Sequence, residues 1–155
     1  MAIPEPWETL ADALLHRDAL LCLAGRGAPP SDFAGLYVGQ EEVRRTLATL
    51  PGLDGAGPEV AEPLRSQVEP RVRASREAFT RFLDGGSVFA RLARAARLTA
   101  QEAEVLALVA AVELHPQRQR LVAYLQDSVH LPRLTLAIRT RLLCRWHVST
   151  ITDDR

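Results

Sequence analysis

The stretch LTAQEAEVLALVAAVELHPQRQRLVAYLQD, residues 98–127, decides the fold, because it joins a capped, apolar helix to a second helix through two residues. Thr99 and Glu102 have the T-x-x-E spacing of a capping box, in which each side chain satisfies an orphan amide at the helix start. The first helix therefore begins at Ala100. Every residue from 105 to 112 is apolar, so no face of these turns is written for water and the helix belongs inside a domain. The run is too short to span a bilayer. His115, placed to act as an N-cap, and Pro116 restart the chain, since proline fits a first helical turn and disrupts an interior. Leu121, Tyr124 and Leu125 then share one face of the second helix.

Upstream, the spacing predicts a helix over 5–24 stopped by Gly25, with Trp7, Leu10, Leu14 and Leu21 as its buried stripe and Ala11 and Leu15 alongside. A polar connector over 25–32 and a short amphipathic piece over 33–38 lead to a helix ending near Leu50, with acids in its first turn. Glycine and proline alternate over 51–58, which reads as an exposed, flexible loop. Beyond it, Pro63 and Pro70 predict a broken helix that ends at Gly85 and Gly86, with Phe79, Phe82 and Leu83 inward. A short helix over 88–98 is expected to bury Val88, Leu92 and Ala95 or Ala96. The last helix, about 133–147, carries Leu134, Ile138, Leu142 and Trp146 at four-residue steps and closes the core. Trp7 and Trp146 are placed to anchor that core where the chain ends meet. VSTIT, residues 148–152, has strand-forming residues and leaves open a truncated wing.

The expectation is an all-α domain of six to eight helices over 1–155, with residues 100–114 at its centre: N-terminal helices over 1–50, the loop over 51–58, and a helical core over 59–155 whose end is open to a helix-turn-helix or winged-helix-like reading. Length and a 47% apolar composition suit one such domain without disulfides or metal. Cys22 and Cys144 sit in separate apolar contexts and read as reduced thiols. The N-terminus lacks the pattern of a secretory signal, and no apolar run approaches membrane-spanning length, so a cytoplasmic location without a membrane partner is expected.

All 19 basic residues are arginine. A Walker A loop needs lysine to reach the terminal phosphates, so ATP hydrolysis by this chain alone is not expected. Residues 1–63 hold 4 arginines against 10 acids, and residues 64–155 hold 15 against 9. This asymmetry can pair the two halves within one fold or steer a partner. His16, His115, His130 and His147 have no metal-ligand spacing and read as surface or capping residues. Neighbouring Glu113 and His115 read as helix-end residues rather than an acid–base pair, and no serine or cysteine has a nucleophile-elbow context. No catalytic, cofactor-binding or metal residue is assigned. The candidate functional residues are a basic surface of Arg71, Arg73, Arg76, Arg81, Arg91 and Arg94, able to contact phosphates or to pair with acids.

The same central stretch resembles the N-terminal helical or winged-helix-like region that precedes the ATPase module in a group of bacterial AAA+ ATPases. The residues that carry this are Leu98, Thr99, Glu102, the aliphatic run, Glu113, Leu114, Arg120, Tyr124 and the Leu-Gln-Asp of 125–127. FAGLYVGQEEVRRTL (33–47) and PRLTLAIRTRLL (132–143) are similar to two further segments of that region. Leu134 departs from it, where proline is usual, as do His115 and Gln117. The resemblance implies a non-catalytic domain that docks a protein partner, adaptor or substrate and regulates a motor lying C-terminal to this chain. ATP and magnesium would bind only in that module. LTAQEAEVLALVA also resembles the opening helix of the helix-turn-helix domains of bacterial response regulators, which keeps a DNA-binding module with an arginine-rich face as the alternative.

Overall fold

An eleven-residue run, Leu10 to Leu20, is buried at every position, including Asp12, His16, Arg17 and Asp18. It lies in helix α1 (Pro6–Gly25) of the computed structural model, which describes residues 3–25, 43, 45, 46, 64–126, 128 and 130–144. The other helices are α2 (Leu64–Leu83), α3 (Val88–Ala95), α4 (Ala100–Leu114), α5 (Pro116–Leu125) and α6 (Leu136–Cys144). The fold is all-α, with six helices and no strand among the described residues. The predicted connector after Gly25, the amphipathic piece over 33–38, the loop over 51–58 and the strand-like 148–152 lie outside the described residues, as does Trp146. Of the predicted helix ending near Leu50, only residues 43, 45 and 46 are described, and they are helical, with Val43 buried.

The centre of the fold is α1, not the predicted α4. Helix α1 packs against α2, α4, α5 and α6, so it is enclosed rather than striped. Helix α4 has a buried side of Ala103, Ala107, Leu108, Ala111 and Val112, but Val109 is 40% and Leu114 71% exposed. Its start is as predicted: the Thr99 amide donates to Glu102 Oε2 at 2.8 Å and the Glu102 amide to Thr99 Oγ1 at 3.3 Å. His115 occupies the N-cap position of α5, yet its side chain makes no capping bond, and Pro116 supplies the preset first turn.

Helix α2 runs unbroken through Pro70. An interior proline costs about 3 kcal/mol, and the packing of α2 on α1, through residues such as Val68, Val72 and Phe79, outweighs it. Helix α3 is rotated from its predicted register. Phe89, Ala90 and Ala93 are buried, while Val88 is 74% and Leu92 54% exposed. Aromatic packing explains the choice. The Phe89 ring stacks on Trp7 at 5.5 Å and meets Phe79 edge-on at 5.9 Å, with Phe82 at 6.2 Å. Burying this ring in a cluster that ties α1, α2 and α3 together favours it over the smaller valine and leucine.

Ser87 caps the start of α3 by accepting from the Ala90 amide. Its end closes in the paired-bond termination usually built on glycine: the Leu98 amide donates to the Ala93 carbonyl and the Arg97 amide to that of Arg94, both at 3.0 Å. Arg97 holds the left-handed position, with φ 53°. Helix α6 starts at Leu136 rather than near Arg133, because Thr135 caps it: its Oγ1 accepts from the Ile138 amide. Ile138 and Leu142 are buried as the four-residue steps predicted. Gln126 fixes the approach to α6, its side-chain amide donating to the carbonyls of Leu131 and Arg133.

The enclosed helix makes ion pairs obligatory. Arg118 of α5 grips Asp12 with both prongs, Nε to Oδ1 at 2.6 Å and Nη2 to Oδ2 at 3.0 Å, and both residues are 1% exposed or less. Replacing Arg118 with methionine strands a buried carboxylate and is expected to lower the free energy of unfolding by about 3–5 kcal/mol, while adding Asp12→Leu restores most of it. Urea unfolding of the two variants measures both; equal losses in the single and double variants would refute the pairing as the cause.

Candidate functional site: the arginines of the interior and of the surface

The six predicted surface arginines divide between interior and exterior. Arg76 turns inward, 8% exposed, and forks onto Glu104 of α4 with bonds of 2.7 and 2.9 Å, so it leaves the predicted basic surface. A bidentate grip on a nearby carboxylate outcompetes water for a guanidinium that can reach it. Arg71 is half-buried, and its Nη1 lacks a hydrogen-bond partner. Arg73, Arg81, Arg91 and Arg94 are exposed as predicted, joined by Arg97. Arg94 is partly committed, donating to the Leu83 carbonyl at the end of α2 at 3.1 Å. The predicted basic surface of α2 and α3 thus loses Arg76 to the core, and what stays outside is concentrated around α3.

The most buried charges were not singled out by sequence reasoning. Arg17 and Arg118 are each 1% exposed. Arg17 donates from Nη2 to the Leu142 carbonyl at 2.7 Å and from Nε to Asp18 Oδ1 at 3.1 Å. Asp18 also accepts from Arg141 Nε at 3.1 Å, so α6 is fastened to α1 by one ion pair and the Arg17 bond to the Leu142 carbonyl. Arg141 further reaches Cys22 Sγ at 3.6 Å. Glu8 adds to the Arg118 pair at 3.6 Å. Burial alone pulls the Arg118 guanidinium down, but the hydrogen bond and charge of Asp12, with Glu8, hold it above its ordinary pKa. Asp12–Arg118, Glu8–Arg118 and Asp18–Arg141 join acids of the N-terminal part to arginines of the C-terminal part, so part of the charge asymmetry is used in internal pairing. The legible signal was DALLHRDALL, residues 12–21, where charges stand among leucines with no polar face to receive them.

His16 departs from its expected place at the surface. It is 6% exposed, with an unpartnered Nδ1. Burial, reinforced by the charge of Arg71, pushes its pKa down to about 4, so it is neutral near pH 7. His130 is exposed as expected; His147 lies outside the described residues. Glu113 pairs at 3.6 Å with Arg133, both exposed. Cys22 is a free thiol, and the side chain of Cys144 lies outside the described residues. Among the described residues no group of three His, Cys, Asp or Glu side chains is placed to hold a metal ion, and no helix is long and apolar enough to cross a membrane. The described geometry therefore consists of structural ion pairs inside and a basic, partly apolar face outside. Comparison with protein-family models, curated proteins and solved structures finds no match.

The pH dependence follows from His16. Its folded pKa lies below the unfolded value, so the unfolded chain binds the extra proton and stability falls as pH drops from 6.5 toward 4. Between neutral pH and pH 5 the loss is expected to be about 2 kcal/mol. Urea midpoints across that range measure it, and His16→Gln should flatten the dependence; an unchanged slope in the variant would assign it to other groups.

Proposed function

We propose that this chain is a non-catalytic domain of a bacterial AAA+ ATPase that docks a protein partner, adaptor or substrate for a motor C-terminal to it. The observation that carries the reading is the division of labour among its charged residues. Those inside are paired with one another, as Asp12 is with Arg118 and Arg76 with Glu104, while α3 offers solvent an arginine-edged apolar face. Paired groups of this kind hold helices in register, and an exposed apolar face suits association rather than turnover. The resemblance over residues 98–127 supports the same reading. Its Thr99 and Glu102 build the helix cap, its Tyr124 and Leu125 are buried, and its Gln126 fastens the chain entering α6. These are scaffold positions, consistent with a domain that presents a rigid surface. The absence of lysine, and so of a Walker A string, favours nucleotide chemistry residing in the attached module. Under this reading the protein acts in the cytoplasm.

The DNA-binding alternative draws on Arg73, Arg81, Arg91 and Arg97, which are exposed. It is weakened by the loss of Arg76 to the interior and by the tie between Arg94 and the Leu83 carbonyl. In the parent protein, deletion of residues 1–147 is expected to abolish partner recruitment while basal ATP hydrolysis persists. Loss of all hydrolysis on deletion, or turnover of ATP by the purified chain itself, would overturn the docking role.

A further inference from the structure

Helix α3 has two unlike sides. With Phe89, Ala90 and Ala93 turned inward, the helical repeat places Val88, Leu92, Ala95 and Arg91 together on the opposite side, and Arg94 beyond Arg91 along one edge. All five are exposed, Val88 at 74% and Leu92 at 54%. Helix α3 contains no acidic residue, so the arginines that border this apolar stripe have no carboxylate on their own element. Arg91 and Arg97 form no ion pair among the described residues.

Arg97 adds a second, independent observation. It occupies a left-handed backbone position, φ 53°, that glycine fills without strain, and its side chain is exposed. An arginine at a glycine position, with no ion pair or side-chain hydrogen bond among the described residues to compensate, points to a contact outside the fold. We propose that the exposed side of α3, with Val88 and Leu92 as anchors and Arg91, Arg94 and Arg97 as its charged border, binds an acidic amphipathic helix of a partner protein. This rests on the docking reading above and names the partner's chemistry.

Each feature of the face selects that occupant. Two aliphatic side chains one turn apart match an apolar stripe on a second helix. The arginine border matches carboxylates flanking that stripe and repels a basic one. A second copy of this chain would set the same arginines against one another, which disfavours self-association through α3. Duplex DNA would engage the arginines but leave Val88 and Leu92 without apolar partners.

The test uses the full 155-residue chain as bait for a library of helical peptides displayed on phage. Enriched peptides are expected to carry an apolar pair three or four residues apart with an excess of acids around it. Leu92→Gln and Arg91→Glu should each weaken the best peptide by about ten-fold or more in fluorescence anisotropy. Arg97→Gly separates a binding role from a structural one: it should raise the thermal midpoint by a few degrees while weakening the peptide. No enrichment, a basic or neutral consensus, or affinity indifferent to the α3 variants would overturn the proposal. Acidic peptides that map to another face overturn the α3 site and leave the docking role standing. Tighter binding of a short DNA duplex than of any peptide, lost in Arg91→Glu, overturns both. Concentration-dependent dimerisation in analytical ultracentrifugation that Leu92→Gln abolishes would replace the partner helix with a second copy.

Discussion

The enclosure of α1 is the constraint on which the remaining structure depends. A helix covered by four others cannot leave Asp12, Arg17 or Asp18 in water, and an unpaired charge in such a place costs several kcal/mol. Each therefore dictates a partner: Arg118 from α5, Arg141 from α6 and the Leu142 carbonyl. Hydrophobic burial supplies the driving force, and the ion pairs select one arrangement, since rotating α1 would strand at least one carboxylate. Arginine suits the task better than lysine, because its planar fork satisfies both carboxylate oxygens at once. A chain whose basic residues are all arginine has this geometry available at every basic position.

The Phe89 cluster has a comparable influence on the surface. By claiming the inward side of α3, it sends Val88 and Leu92 outward beside Arg91, and the same rotation that closes the core creates the exposed apolar stripe. Core and surface are thus two outcomes of one helical phase. The arginines respond to local opportunity. Arg76 faces Glu104 and is internalised, Arg94 finds the carbonyl end of α2, and Arg91 and Arg97 pair with no acid among the described residues.

Local signals were readable from the sequence, and long-range ones were not. The Thr99–Glu102 box, the Pro116 restart and the buried steps of Ile138 and Leu142 depend on residues within a turn or two of each other. The continuity of α2 is not legible locally, because Pro70 signals a break that only its packing on α1 overrides. The phase of α3 is not legible locally either, because Val88 and Leu92 mark as good a stripe as Phe89, and only the rings of Trp7 and Phe79 decide between them. Of the candidate surface, Arg73, Arg81, Arg91 and Arg94 are exposed. Arg76 is buried instead, on a partner 28 residues away on another helix. The internal pairing of acidic and basic regions could be anticipated from charge asymmetry, but not which residues would carry it.

The spacing of the central ion pairs along the chain bears on biosynthesis. Asp12 and Arg118 are 106 residues apart, and Arg141 lies 123 residues after Asp18. At roughly 5–20 residues per second, a nascent chain holds Asp12 for about 5–20 s before Arg118, the guanidinium that grips it, is even translated. During that interval the leucines of α1 have no completed core to enter. Helix α1 thus waits on residues made more than a hundred positions after it, and part of its greasy surface stays available to chaperones until they emerge.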